Sequence, residues 1–158
     1  MKSLPAENYK DLAIVLFAGK SMQPLFIDGD QLLVYFFKSK EESEALEVGD
    51  IVLFKTLEAW TAHRIVSENK TKGDRSLFPD IDQGHLWGRI DGMKSKKNIY
   101  FWGSRGMIFK KRVARVSIIS ATFLKWKRWP ALILLWGIIK IGLALHQIKE
   151  SEAPQKTV

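Results

Sequence analysis

A mainly β fold, closed at its C-terminal end by a basic helix and a hydrophobic helix, is what three features of this chain predict. Short apolar runs recur through the first two-thirds of the sequence. Gly-Asp turn signals open two of them, at Gly29-Asp30 and Gly49-Asp50. Spacing close to 3.6 residues appears only after Gly106.

Taken in order, the first eleven residues are polar and read as a flexible terminus. Leu12 to Ala18 is apolar but far too short to span a bilayer, which needs about 20 residues. With no basic region before it and no processing site after it, it reads as a buried strand rather than a cleaved signal. Leu32 to Phe37 and Asp50 to Lys55 are the next strands, each behind its Gly-Asp pair. Glu41 to Glu47 is acidic and reads as an exposed loop or a short helix. Trp60 to Val66 is expected to pair with Ile51 to Lys55. Ser67 to Gly84 is rich in Gly, Asp and polar residues and reads mostly as loop. Leu86 to Ile90 and Asn98 to Trp102 form further strands around a basic turn at Lys94 to Lys97. A core over residues 12–106 follows from this pattern.

Residues 107–128 read as a basic amphipathic segment, with Phe109, Val113, Val116 and Phe123 near helical spacing. Residues 129–146 are a candidate membrane anchor, apolar except for Lys140 and two glycines between Pro130 and His146. Trp126, Trp129 and Trp136 sit where interfacial aromatics belong. Three forms fit: a short transmembrane helix, an interfacial helix, or a core or oligomer helix. Residues 147–158 read as a polar tail.

Composition narrows the function. The chain has 158 residues, 46% apolar and 27% charged, with mean hydropathy of -0.09. This fits one globular domain with a short appendage and excludes a multi-pass membrane protein. It has no Cys, so disulfide scaffolds, thiolate metal sites and cysteine nucleophiles are excluded. The three His show no paired ligand spacing, so no metal or other cofactor is expected. The net charge is +8. Lys110, Lys111, Arg112 and Arg115, then Lys125, Lys127 and Arg128, lie just before the apolar segment. That placement suits a lipid surface better than DNA. Seven basic residues before the segment face only Lys149 and Lys156 after it. If it spans, the preceding domain lies on the cytoplasmic face.

The residues that carry chemistry are Gly19-Lys20-Ser21-Met22-Gln23-Pro24, Gly49-Asp50-Ile51-Val52, His63-Arg64-Ile65-Val66, Lys72-Gly73-Asp74 with Asp80, and Trp87-Gly88-Arg89. Alone, Ser21 reads as a turn residue and His63 as a structural strand histidine. In this order the boxes resemble the signal peptidase I and LexA-like superfamily of serine peptidases. The likeness is to its Ser/His branch, found in endoplasmic reticulum and archaeal signal peptidases. It covers about half the chain, and four short boxes in order are far more specific than any one.

The resemblance implies a LexA-like, signal-peptidase-like coiled β-sheet core and a membrane-associated serine endopeptidase acting on a peptide or protein substrate, with leader or signal segments as one class. It implies Ser21 as nucleophile and His63 as general base, in the place where Lys-dyad relatives carry lysine. Imidazole is basic at neutral pH without special burial. It implies an orienting carboxylate, Asp80 first and Asp74 second, because the branch carries a Gly-Asp pair followed six residues later by another acid. Asp74 has a second reading as a loop-holding residue, and Asp82 reads as a solvated turn residue. Met22 and Phe26 read as packing residues, Arg64 as the structural partner of a carboxylate, and Lys20 and Lys55 as weak rival bases. His85 and His146 are expected to be non-catalytic. The Ser21 backbone N–H is the first oxyanion donor, and Gly19 offers no side chain for a second. The alternative function is a non-catalytic or self-processing module of the same fold, regulatory or lipid-binding. LexA-like relatives join this fold to a DNA-binding segment, and none precedes Leu12, so no nucleic acid is expected. Membrane lipid is the expected second partner.

Overall fold

The computed structural model describes residues 12–56, 59–68, 70–76, 78–80, 84–96, 98–103, 110–122 and 128–148. Eight strands form one antiparallel sheet: β1 Leu12–Leu16, β2 Gln31–Phe36, β3 Ile51–Lys55, β4 Trp60–Ser67, β5 Lys70–Lys72, β6 Leu86–Ser95, β7 Asn98–Phe101 and β8 Gln147–Ile148. Three helices accompany them: α1 Lys40–Glu44, α2 Lys110–Thr122 and α3 Arg128–Leu145. The mainly β expectation therefore holds.

The principal strand order is β1-β2-β6-β3-β4-β5. The long strand β6 is the spine. One of its edges pairs with β2 from Gly88 to Lys94. Its other edge serves β3 through Leu86 to Arg89 and β7 through Gly92 to Ser95. The β2–β6 register shifts between Leu33 and Val34, which leaves Asp91 unpaired in the ladder. Asp91 is fully buried and is held instead by the Arg89 guanidinium, itself buried.

Both Gly-Asp turns are built alike. Gly29 and Gly49 have φ of 88° and 99°, a region where glycine meets no Cβ penalty. The following carboxylate then accepts a backbone N–H three residues earlier: Ile27 N–H to Asp30 at 2.8 Å, and Glu47 N–H to Asp50 at 2.8 Å. These side-chain turns launch β2 and β3. The second also seats α2, because Lys110 Nζ donates to Asp50 at 2.7 Å.

Inward residues of β2, β3, β4 and β6, including Leu32, Val34, Ile51, Leu53, Ala62, Ile90 and Met93, form the core. Met22, Leu25 and Phe26 pack into it from the loop after β1, as expected of the first and last. Leu135, Ile139 and Leu143 enter from α3, and Val113 from α2. Each such large side chain contributes about 1.5–3 kcal/mol by leaving water.

Four boundaries differ from the sequence reading. Lys70–Lys72 forms a short strand inside the expected loop, templated by the open edge of β4. Strand β6 continues past Ile90 to Ser95, so the basic turn begins later, at Lys96 with φ 53°. Strand β1 ends at Leu16, with Phe17 and Ala18 beginning the following loop, and it is not the buried strand expected, because it pairs with β2 alone among the described residues and leaves Ile14 and Leu16 exposed. Gln147–Ile148, expected in the polar tail, pairs with β7. The acidic stretch does form a short helix, α1. The expected flexible terminus, Asp82, Phe109, Phe123, Lys125, Trp126 and Lys127 lie outside the described residues.

Candidate active site

His63 sits on β4 opposite Val52 and is 7% exposed, its ring edge-on to Phe54. Its Nδ1 lies 2.7 Å from Asp80 Oδ2. With an ionised carboxylate as acceptor, Nδ1 is the donor, and the neutral imidazole then keeps its lone pair on Nε2. Asp80 is itself fixed. Thr71 Oγ1 donates to the same Oδ2 at 2.6 Å, and Asp80 N–H donates to the Thr71 carbonyl at 2.8 Å. Thr71 pairs with Ile65 on β4, so it lies on the same face of the sheet as His63. The sequence separation of 17 between His63 and Asp80 is thus closed by β5.

Ser21 follows β1 in a compact turn. Leu25 N–H and Phe26 N–H both donate to the Met22 carbonyl, and the burial of Met22, Leu25 and Phe26 anchors the turn. Gly19 enters it with φ 126° and donates its N–H to Asp28 at 2.9 Å. The turn is pinned to the far loop by Arg75 N–H, which donates to the Ser21 carbonyl at 2.7 Å. Arg75 Nη1 also donates to Gln23 Oε1.

Gly73 is where the two loops meet. A Cβ there would lie 2.7 Å from the Ser21 carbonyl oxygen, 2.9 Å from His63 Nε2 and 2.6 Å from Ser76 Oγ. Ser21 and the free nitrogen of His63 therefore flank one Cβ-sized space, and only glycine leaves it open.

Asp74 does not join this group. Its two oxygens accept from Arg64 Nε at 2.9 Å and Nη2 at 2.8 Å, a bidentate pair with both side chains fully buried. Arg64 Nη1 donates to the Gly49 carbonyl at 2.9 Å. Arg64 and Asp74 thus tie the loop after β5 to the turn before β3. Of the two carboxylates read from the sequence, Asp80 meets His63 and Asp74 meets Arg64. Lys20 and Lys55 are exposed, and Lys55 lies over the Trp60 ring. His85 packs edge-on to Trp87 and His146 lies near Trp102.

Sequence reasoning passed over Thr71, and it named Lys72 and Gly73 in the Lys-Gly-Asp box without a role for either. Lys72 is fully buried, and its Nζ donates to the Gly73 carbonyl at 3.1 Å and to Ser117 on α2 at 3.0 Å. Lys72 pairs with Arg64 across the ladder, so it lies on the face opposite His63. The available signal was the alternation of Thr71 and Lys72 immediately before Gly73.

A groove of about 380 Å³ runs to Ser21, lined by Leu16, Phe17, Leu32, Leu53 and Ala62 among others. One of its walls is β1, which among the described residues pairs only with β2. A larger cleft, about 500 Å³, lies among Leu46, Val48, Ile65 and Leu86 and contains neither Ser21 nor His63. Among the described residues no group of three or more His, Asp or Glu is placed to hold a metal. No family model, curated protein or solved structure matches this chain.

Proposed function

We propose that this chain is a serine endopeptidase with a coiled-sheet core of the signal-peptidase and LexA type, using Ser21 as nucleophile, His63 as general base and Asp80 as the orienting carboxylate. The observation that carries it is the 2.7 Å contact between Asp80 and His63 Nδ1, with Nε2 and the Ser21 carbonyl oxygen both bordering the space beside Gly73. Catalysis requires Ser21 Oγ to turn toward Nε2. His63 takes the hydroxyl proton as Oγ adds to the peptide carbonyl, then returns it to the leaving amine. Water repeats the cycle on the acyl-enzyme. Asp80 holds the ring and stabilises the imidazolium formed in each step. The Ser21 N–H is the first donor to the oxyanion.

The substrate chain extends along the edge of β1 that has no partner among the described residues, with main-chain bonds to that strand and an apolar side chain in the groove beside Ser21. The test is covalent labelling by a fluorophosphonate probe, followed by mapping of the labelled residue. Label on Ser21, abolished by Ser21→Ala and by His63→Ala in folded protein, is the expected result. An absence of labelling over the neutral range, or label on another residue, turns the reading to a binding module of the same fold.

A further inference from the structure

Helix α3 presents two apolar faces and buries only one. Leu135, Ile139 and Leu143, four residues apart, pack into the core. On the opposite side Ile133, Leu134, Trp136, Ile141 and Leu145 are each between 51% and 61% exposed. These positions share one continuous sector of the helix, interrupted only by Lys140, whose Nζ lies 5.3 Å from the Trp136 ring centre. Isolated surface hydrophobics need no explanation, but a contiguous band of five does.

The charge around this band says what covers it. Neither α2 nor α3 contains an Asp or Glu. Lys111, Arg112 and Arg115 are exposed on α2, which packs against α3. A second copy would bring the same cations and no acid from these two helices. An anionic lipid surface offers the apolar layer and the opposite charge together.

The helix is also tied to the domain along its length. Beyond its buried stripe, the His146 carbonyl accepts the Phe101 N–H at 2.9 Å, and β8 pairs with β7. No described helix is long and apolar enough to cross a membrane. A helix with half its circumference in a protein core cannot be ringed by lipid without leaving that core. We propose that α3 lies in the plane of an anionic membrane surface, its outer face inserted at the headgroup boundary and the α2 cations on the headgroups. The inference is independent of the chemistry at Ser21.

The experiment is co-sedimentation of the full chain with phosphatidylcholine vesicles, with and without phosphatidylglycerol. Binding should require the anionic lipid, weaken with salt, and fall about tenfold or more in Trp136→Ser/Ile141→Ser. Arg115→Glu, a fully surface change, should weaken binding to anionic vesicles while leaving the circular dichroism melt unchanged. Ser21→Ala should bind like the parent. Failure to pellet with anionic vesicles overturns the proposal, as does binding that both variants leave intact. A dimer by sedimentation velocity that Trp136→Ser/Ile141→Ser dissociates assigns the face to a second copy instead. Resistance of membrane-bound full chain to alkaline carbonate extraction overturns the in-plane placement.

Discussion

Gly73 leaves no room for a side chain beside His63: a Cβ on it would sit 2.9 Å from Nε2, closer than van der Waals contact. The backbone of the Lys72–Asp74 loop thereby sets how closely the Ser21 turn and the histidine approach. Gly73→Ala should lower probe labelling at Ser21 by about a hundredfold or more, because a misplacement of about 1 Å costs that much in an oriented reaction. Labelling kinetics on protein of parental circular dichroism checks it. An unchanged rate would mean the loops part without consequence.

The two carboxylates should fail differently. Asp80→Asn removes the orienter at little cost to folding, and turnover should fall about 10⁴-fold with substrate binding retained. Asp74→Ala leaves the fully buried Arg64 guanidinium without its bidentate partner, which costs about 3–5 kcal/mol of stability. Urea melts and steady-state kinetics on both variants separate the roles. Loss of turnover in a stably folded Asp74→Ala protein would reverse the assignment.

His146 makes the attachment of α3 sensitive to pH. Burial holds its pKa below the ordinary value of 6.5, opposed in part by its hydrogen bond to the Phe101 backbone. A histidine with a depressed folded pKa contributes stability that is present above 6.5 and lost as pH falls through the folded value. Amide exchange at Ile99 to Phe101 should therefore accelerate on acidification from about pH 7 to about pH 5, and His146→Gln should flatten that dependence. An exchange rate at these amides that follows only intrinsic chemistry would remove His146 as the cause.

Anionic lipid is concentrated on the cytoplasmic leaflet. If α3 docks as proposed, the domain is expected on that side. Protease added to intact spheroplasts should leave it uncut, with cleavage only after lysis. Digestion from outside, with a cytoplasmic control intact, would place it on the other face.

How legible was this in the chain itself? The strands with alternating or apolar runs and a Gly-Asp turn were readable, because both turn and burial leave local marks. The proximity of His63 and Asp80 had been expected from a resemblance, and the geometry agrees with that expectation without showing an activity. Strand β5 was illegible because Lys70-Thr71-Lys72 carries no apolar pattern, and it is extended only because β4 offers an open edge. Strand β8 was hidden for the same reason. Helix α3 was ambiguous in principle: an all-apolar helix looks the same whether its neighbours are lipid or protein, and only the burial of Leu135, Ile139 and Leu143 separates its faces.

The division of the β6 edge has a consequence for when the site comes into being. The β1–β2 hairpin carries Ser21 in its loop, and the β3–β4 hairpin carries His63. The two share no ladder, and within the sheet β6 stands between them. Each hairpin is a local structure that forms without closing a long loop, whereas β6 has to be recruited afterwards from residues further along. A chain still emerging from the ribosome therefore lacks the strand that joins the two hairpins into one sheet. If Ser21 and His63 act together as proposed, that action waits on residues 86–95, the last of the central strands to be made.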